Sequence, residues 1–399
     1  MNIVKTERKR TDMEYEIIDL PREKWQGHPL PIGYTTEEYY DVAVSQRGGF
    51  TVNIEKKRFD KPVTHAPEEY DFPDRLYEPH WEGAFAWGVV RDGELLAAIE
   101  TCPEEWSNRL RITELWVDES LRRQGVGHRL IAIAKEQARL ERRRAIMLET
   151  QSCNTNAIGF YLHEGFTLIG FDSCCYANND LERKEVRLEL GILLEKPSPV
   201  DPSEVTIRAE RPEDYAETEN MMRRAFFNKY RPGCSEHYLV HKLRGDSAYL
   251  PEYSRVAVHD GRIVGAIFYS RSKVVGEREY QVLTFGPLCV APEYQGRGVG
   301  GLLLDETLAL AKAAGESGVI IFGEPDYYPR HGFVTCDRFG ITTPDGENFD
   351  AFIACKLSDS FDEVHGKFYE AEVFEQLDGC EEFDLNFPPM EARKFPRQF

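Results

Sequence analysis

Two stretches of the chain repeat one pattern of apolar and polar positions. Residues 86–90 and 94–100 are apolar runs on either side of Asp92-Gly93, and residues 255–258 and 262–270 flank Asp260-Gly261 in the same way. Asp-Gly supplies the positive φ angles of a two-residue turn, so each pair predicts an antiparallel hairpin. Each hairpin is followed by another apolar strand, at 112–117 and 286–290, and then by a glycine-bearing loop. Apolar residues next recur at helical spacing. They are Leu130, Ile131, Ile133, Ala134 and Ala138 in the first stretch, and Leu303, Leu304, Thr307, Leu308, Leu310 and Ala311 in the second. That period predicts an amphipathic helix after each loop. A short strand follows at 145–150 and 318–322, and last a Tyr-x-x-x-Gly-Phe element at 161–166 and 328–333.

The shift between the copies is nearly constant. From Gly93 to Gly261 is 168 residues, from Gly125 to Gly298 is 173, and from Tyr161 to Tyr328 is 167. Three unrelated signals sharing one shift argue for a duplicated fold. Between the copies, residues 196–203 hold three prolines and no apolar period, the mark of a linker. The expected organisation is a solvated tail at 1–13, a first domain at 14–196, a linker at 197–203, a second domain at 204–357 and a closing segment at 358–399. From residue 359 to 399 the closing segment carries 11 acidic and 4 basic residues, together with Phe361, Phe368, Tyr369, Phe374, Phe383 and Phe387. Aromatics at that density predict packing on the second domain and not free disorder.

Composition narrows the function class. The 399 residues are 41% apolar, enough for buried cores. No run approaches the roughly 18–20 apolar residues of a membrane span. The basic N-terminus is not followed by an apolar segment, so it does not read as a secretory signal. The nine cysteines are scattered and form no Cys-x-x-Cys pair, which argues against a zinc site or a disulfide framework. Adjacent Cys174 and Cys175 suit buried small residues, and reduced thiols point to the cytoplasm. His237 and His241 stand four apart, as helical metal ligands can, but a third ligand is lacking, so no metal is expected. The net charge of −20 argues against nucleic acid and favours cationic small molecules.

The loops carry the chemistry. The first runs from Val117 through Arg122, Arg123, Gln124, Gly125, Val126 and Gly127 to His128. The second runs from Val290 through Gln295, Gly296, Arg297, Gly298 and Val299 to Gly300. Glycines between a strand and a helix let backbone N–H groups converge, and the helix start adds partial positive charge, so each loop is an anion site suited to a pyrophosphate. Both loops are too short for the Gly-x-x-x-x-Gly-Lys-Ser/Thr pattern and lack its lysine.

An Arg or Gln three residues before the first glycine, after a strand and at the start of a helix, resembles the acetyl-CoA loop of the GNAT acetyltransferases. The resemblance implies an α/β (α+β) fold of two tandem domains, each a mixed, mostly antiparallel central sheet flanked by helices, with acetyl-CoA as cofactor. Residues 106–176 resemble the streptothricin acetyltransferase branch through Trp106-Ser-Asn-Arg109, the first loop, Met147-Leu-Glu-Thr-Gln151, and Asn154 through Phe160-Tyr161 to Gly165-Phe166. Residues before Phe85 match that branch poorly. Residues 205–357 resemble another bacterial branch through Ile207-Arg-Ala, Gly286-Pro-Leu-Cys-Val290 and Gly323-Glu-Pro-Asp-Tyr-Tyr328.

The resemblance also implies roles. Tyr161 matches the position that protonates the departing thiolate, and Asn154, seven residues earlier, matches a cofactor contact. The backbone of Leu115, Trp116 and Val117, and of Leu288, Cys289 and Val290, matches the strand that pairs with the pantetheine arm. Its amides could also stabilise the oxyanion. Acyl transfer to an amine further needs a group to take up a proton. Glu114 is the first choice, acting through water, with Glu149 as the alternative. Tyr328 keeps the acid position in the second half. That half has no asparagine seven residues earlier, and Pro325 shortens any helix there. The activity expected is N-acetylation of a primary amine on a cationic small molecule, such as a streptothricin-like antibiotic. Two alternatives stay open: a protein or peptide amine as acceptor, or one half serving as a non-catalytic acyl-CoA-binding module. Neither a membrane nor a nucleic-acid partner is expected.

Overall fold

The computed structural model describes residues 15–67 and 74–398, so the expected tail at 1–13 lies outside the described residues. The chain forms two compact units, Met1–Glu195 and Lys196–Phe399. The described strands of the first unit are β1 (Ile18–Asp19), β2 (Tyr34–Ser45), β3 (Thr51–His65), β4 (Phe85–Arg91), β5 (Glu94–Glu104), β6 (Arg109–Val117), β7 (Ala145–Gln151), β8 (Thr167–Asp172) and β9 (Arg187–Leu193). Seven of them make one sheet in the order β1-β4-β5-β6-β7-β9-β8, and β2 and β3 form a separate ribbon. The helices are α1 (Arg22–Trp25), α2 (Val126–Leu140), α3 (Thr155–His163) and α4 (Asp180–Arg183).

The second unit repeats the plan. Its strands are β10 (Thr206–Arg208), β11 (Arg255–His259), β12 (Arg262–Val275), β13 (Glu279–Val290), β14 (Gly318–Phe322), β15 (Val334–Thr335), β16 (Ile341–Thr342), β17 (Phe352–Lys356) and β18 (Gly366–Tyr369). Its helices are α5 (Tyr215–Phe226), α6 (Glu236–Leu243), α7 (Val299–Ala313) and α8 (Cys380–Asp384). The sheet order is β10-β11-β12-β13-β14-β17-β15, with β18 joining β12 and β16. In both units the central strands pair antiparallel until β6 meets β7 and β13 meets β14, which are parallel.

Both hairpins close on the expected turns. Asp92 and Gly93 have φ of 53° and 87°, and Asp260 and Gly261 have 49° and 73°. Each helix after a loop buries the stripe that its period marked. Leu130, Ile131, Ala134 and Ala138 are buried in α2, and Leu303, Leu304, Leu308 and Ala311 in α7. Thr307 fits among them because its hydroxyl donates to the Leu303 carbonyl at 2.8 Å, so no polar atom is stranded. Several strands run past their apolar stretches. β6 starts at Arg109, since the buried Arg111 is satisfied by Glu104 and Glu149. β12 continues to Val275 through Ser270 and Ser272.

The segment after Leu357 packs on the second unit. Phe361 and Phe368 are buried in one cluster with Ile320, Phe352 and Val274. Residues 196–203 also lie against that unit: Val200 is buried, and its N–H donates to the Arg297 carbonyl at 3.0 Å. One expectation fails. Cys174 and Cys175 are exposed, in the loop after β8, where Cys174 Sγ turns to Asp172 and Cys175 Sγ meets Arg187. Polar partners at the sheet edge hold them outward. All nine cysteines are free, and no helix among the described residues is long and apolar enough to cross a membrane.

The ring of Phe361 lies so close to Gly318 that an added Cβ would meet it at 2.3 Å. Phe361→Ala should therefore destabilise the second unit by about 3–5 kcal/mol, the usual cost of emptying a buried aromatic site. Urea unfolding followed by fluorescence measures this, and a loss under about 1 kcal/mol would show that the segment is not part of the core.

Candidate functional site

In the first unit, β6 and β7 pair only from Arg109↔Ala145 to Arg111↔Met147 and then part. From Ile112 to Val117, β6 keeps its ladder with β5 on one side and has an open edge towards β7. Thr113 forms a bulge there, since Glu114 stands opposite Glu100 while Ile112 stands opposite Thr101. Glu114 and Trp116, two residues apart, share a face, and Trp116 packs against Leu20, Trp25, Leu30, Leu76 and Tyr77. The segment before β4 thus packs on the face on which Glu114 lies.

The loop after β6 ends at Gly125, which caps α2 with φ 81° and offers no side-chain acceptor to the first-turn amides. Gly298 does the same for α7 with φ 95°. An added Cβ at either glycine meets nothing, so the loops leave a shallow cradle in front of the helix starts. Arg122 Nε donates to the Val117 carbonyl at 3.0 Å, and Gln295 Nε2 donates to the Val290 carbonyl at 3.1 Å. The residue three before the first glycine therefore ties each loop back to its strand. At Gly127 a Cβ would meet Phe160 at 3.1 Å, and at Gly300 it would meet the Tyr327 hydroxyl at 3.1 Å. The second glycine admits the aromatic residue that directly precedes Tyr161 or Tyr328.

The other residues expected at the loops divide by what they expose. Trp116, Val126, Cys289 and Val299 bury their side chains, so only their backbone can line the site. Leu115, Val117, Leu288 and Val290 are half-buried, and Arg123 and Gln124 are exposed. His128 pairs with Glu164 at 3.0 Å. Arg297 turns to the inter-unit segment, donating to the Ser198 carbonyl at 3.0 Å. Asn154 caps α3, its Oδ1 accepting from the Ala157 N–H at 3.2 Å.

Tyr161 and Glu114 come together. Tyr161 is buried, with the Phe160 and Phe166 rings 5.5 and 5.8 Å from its own. Burial raises its phenol first, and the nearby Glu114 charge adds to this, so the hydroxyl keeps its proton. Glu114 is itself held well above the carboxylate range, by desolvation first and then by Asp74, Glu100, Glu149 and Glu78. Glu100 is fully buried and raised by burial, though it accepts from Thr113 Oγ1 at 2.8 Å and the Tyr77 N–H at 2.5 Å. Asp74 is raised by burial, then by Glu149 and Glu78. Glu149 differs, because its Oε2 is held by Arg187 at 2.6 Å and Arg111 at 3.0 Å. Sequence reasoning missed Asp74, Glu78 and Glu100. Only Glu100 left a signal, as a charge interrupting the apolar run of β5.

In the second unit β13 and β14 pair at Leu283↔Val319 and then part. Tyr328 opens a single 3-10 turn, Tyr328–His331, and not an α-helix, in keeping with Pro325 before it. Burial raises its phenol, with smaller effects from Tyr327, Tyr230 and Glu324. Shifted by 173 residues, Glu114 corresponds to Pro287, which has neither a carboxylate nor an N–H.

The profile of the Acetyltransferase (GNAT) family matches residues 50–166, and that of the Acetyltransferase (GNAT) domain matches residues 251–335. The uncharacterized N-acetyltransferase YhbS of Escherichia coli K12 is 33% identical over 128 residues, 32% of this chain and 72% of YhbS. The chain belongs to the GNAT acetyltransferase family. A crystal structure of YhbS from Escherichia coli in complex with CoA covers 44% of this GNAT chain and 96% of its own, at 28% identity and a TM-score of 0.40. The uncharacterized N-acetyltransferase YjhQ of Escherichia coli K12 is 38% identical over 99 residues, 25% of this chain and 55% of YjhQ. Streptothricin acetyltransferase of Escherichia coli is 36% identical over 95 residues, 24% of this chain and 54% of that protein. This GNAT chain thus spans about half the length of those last two relatives. The first half is similar to the streptothricin enzyme and the second to YhbS and YjhQ.

The desolvated carboxylate has a cost that can be measured. Folding raises the Glu114 pKa, so its contribution to stability is complete below the ordinary carboxylate value, about 4.3, and is lost as pH rises through the folded value. Glu114→Gln removes that loss. The variant should melt at a higher temperature than the parent at about pH 8, and the gain should vanish near pH 4. Equal melting temperatures at both ends would show that Glu114 is well solvated.

Proposed function

We propose that the chain is a cytoplasmic, acetyl-CoA-dependent N-acetyltransferase whose first domain acetylates a primary amine of a cationic small molecule of the streptothricin type, an activity that would confer resistance to such antibiotics. What carries this reading is the placing of Glu114 on β6 opposite Glu100, beside the parting of β6 and β7, where its charge acts on buried Tyr161 and is itself opposed by Asp74, Glu100, Glu149 and Glu78. Carboxylates that burial makes costly are stabilised by a bound ammonium group, so the site favours a polyamine-like acceptor. The likeness to streptothricin acetyltransferase supports the same class.

Acetyl-CoA, when bound, supplies the acetyl group as a thioester, which amines attack. The uncapped starts of α2 and α7, with Gly125 and Gly298 before them, suit its pyrophosphate. Leu115, Trp116 and Val117 would bind the pantetheine arm through their backbone, and their amides are suited to charge growing on the carbonyl oxygen. Glu114 takes the proton that the amine must lose, directly or through water. Tyr161, kept protonated by burial, hands its proton to the departing thiolate. Glu149, already held by two guanidinium groups, serves better to orient Arg111 and Arg187 than as the base.

Incubation with acetyl-CoA and streptothricin, read by mass spectrometry, tests the acceptor. Tyr161→Phe should lower turnover roughly 10²-fold with little change in acetyl-CoA affinity, as when a positioned acid is lost. Because the base starts with a raised pKa, activity should climb as pH rises above the carboxylate range, and it should fall with added salt. Acetylation of neutral amines equally well at all salt concentrations would sink the cationic acceptor.

Both loops keep the uncapped helix start, so calorimetry should give two acetyl-CoA sites per chain, each removed by its own variant, Gly125→Glu or Gly298→Glu. A single site abolished by Gly125→Glu alone would leave the second loop without this function.

A further inference from the structure

The segment that opens the second unit at Lys196 lies against the second glycine loop. The Val200 N–H donates to the Arg297 carbonyl at 3.0 Å, and Arg297 Nε donates to the Ser198 carbonyl at 3.0 Å. The Val200 side chain is buried in one cluster with Val299 and Leu303, near the start of α7, and Val205 and Ile207 pack against the same cluster. The Arg297 guanidinium also lies over the Tyr294 ring, 4.8 Å from its centre. The Tyr294 hydroxyl is 3.0 Å from His259 Nδ1, and Nε2 of that ring is 3.5 Å from Glu204 Oε2. Residues 198–204 therefore meet the loop at two places, through Arg297 and through Tyr294.

The glycines fit this contact. Gly296 has φ 76°, and Arg123, which stands 173 residues earlier in the first loop, has φ 62°. The first loop thus carries a side chain in the left-handed region at this place. In the second loop a Cβ on residue 296 would stand 3.3 Å from Pro197 Cγ, tighter than ordinary van der Waals contact, whereas one on Gly298 would meet nothing. Glycine at 296 makes room for the segment, and Gly298 stays open before α7.

A trans peptide is planar, with its carbonyl and its N–H pointing opposite ways. The Arg297 carbonyl belongs to the same peptide as the Gly298 N–H. Docking of Val200 on that carbonyl therefore fixes the direction of the Gly298 N–H, a donor at the uncapped start of α7. The first loop is held in the same way. The carbonyl of Gln124, just before Gly125, accepts from the Tyr15 hydroxyl at 3.1 Å. In both halves the chain that enters the domain holds the peptide in front of the helix.

We infer that residues 197–204 are a positioning element of the second cofactor loop: their docking orients the Arg297–Gly298 peptide for acetyl-CoA, and bound acetyl-CoA in turn holds the segment down. The inference rests on the reading that the second loop binds acetyl-CoA. Val200 and Arg297 are its positioning residues. Arg297 acts through the segment and not as a ligand of the phosphates. An anion held by the N–H groups before α7 favours the one peptide orientation that Val200 also favours. The two events share that orientation, so each strengthens the other by the same factor.

The full-length chain carrying Gly125→Glu, which leaves only the second loop, tests this. Calorimetry reads acetyl-CoA binding, and amide hydrogen exchange read by mass spectrometry follows residues 196–204. Saturating acetyl-CoA should slow exchange at Val200 and its neighbours about 5-fold or more, the usual scale of coupling between sites. Adding Val200→Ala should weaken acetyl-CoA binding several-fold. Arg297→Ala should weaken it too, and should speed exchange of residues 196–204 with no acetyl-CoA present, which loss of a direct phosphate contact would not do. The exchange measurement needs no substitution in the segment, so it decides even where Val200→Ala folds poorly. Failure of the Gly125→Glu chain to bind acetyl-CoA would overturn the reading of the loop and the coupling with it. Acetyl-CoA bound with exchange of residues 196–204 unchanged, or with affinity untouched by Val200→Ala, would overturn the coupling alone.

Discussion

The site depends on the parting of two parallel strands inside a sheet. β6 and β7 pair for three residues and then separate, and β13 and β14 separate after the single register of Leu283 with Val319. Backbone N–H and C=O groups in a sheet interior need partners, so an opened edge favours an extended arm that pairs as a further strand would. The helix after each loop starts without a side-chain cap near the end of that edge. Strand edge and helix start together would suit one elongated ligand with its anionic end at the helix.

Around Glu114 the same opening creates an electrostatic cost. Glu114, Glu100 and Asp74 all sit above the carboxylate range, mainly through burial and then through one another. Neighbouring carboxylates with cations beside them behave differently: Glu104 is held below the usual range by Arg111 and Arg109 against the opposing effect of burial. The first domain thus holds some carboxylates against arginine and buries others, Glu100 and Asp74 among them. Such unneutralised groups weaken the folded state and gain most from a cationic partner.

The two domains have diverged on this shared frame. Their loops are braced alike, by Arg122 to Val117 and by Gln295 to Val290. The faces beside their parted strands are not covered alike. In the first unit, a segment before β4 packs against Trp116, on the face of Glu114; in the second, α5 and α6, joined by Val373, pack against Cys289 at the corresponding place on β13.

The sequence by itself determined the elements with a local cause. The Asp-Gly turns, the helical period of α2 and α7, the glycines before them and the Tyr-x-x-x-Gly-Phe elements each depend on residues a few positions apart, and the family could be read from them. Tertiary structure alone decided which carboxylates meet. Asp74, Glu100, Glu149 and Glu78 act on Glu114 from separate segments, and Glu149 differs from the others in that Arg111 and Arg187 reach it. It also decided that Arg122 and Gln295 brace their loops, and that Cys174 and Cys175 face outward. The physical reason is the range of the interactions. Turn and helix preferences act along the chain, whereas desolvation and charge act through space and have no period in the sequence.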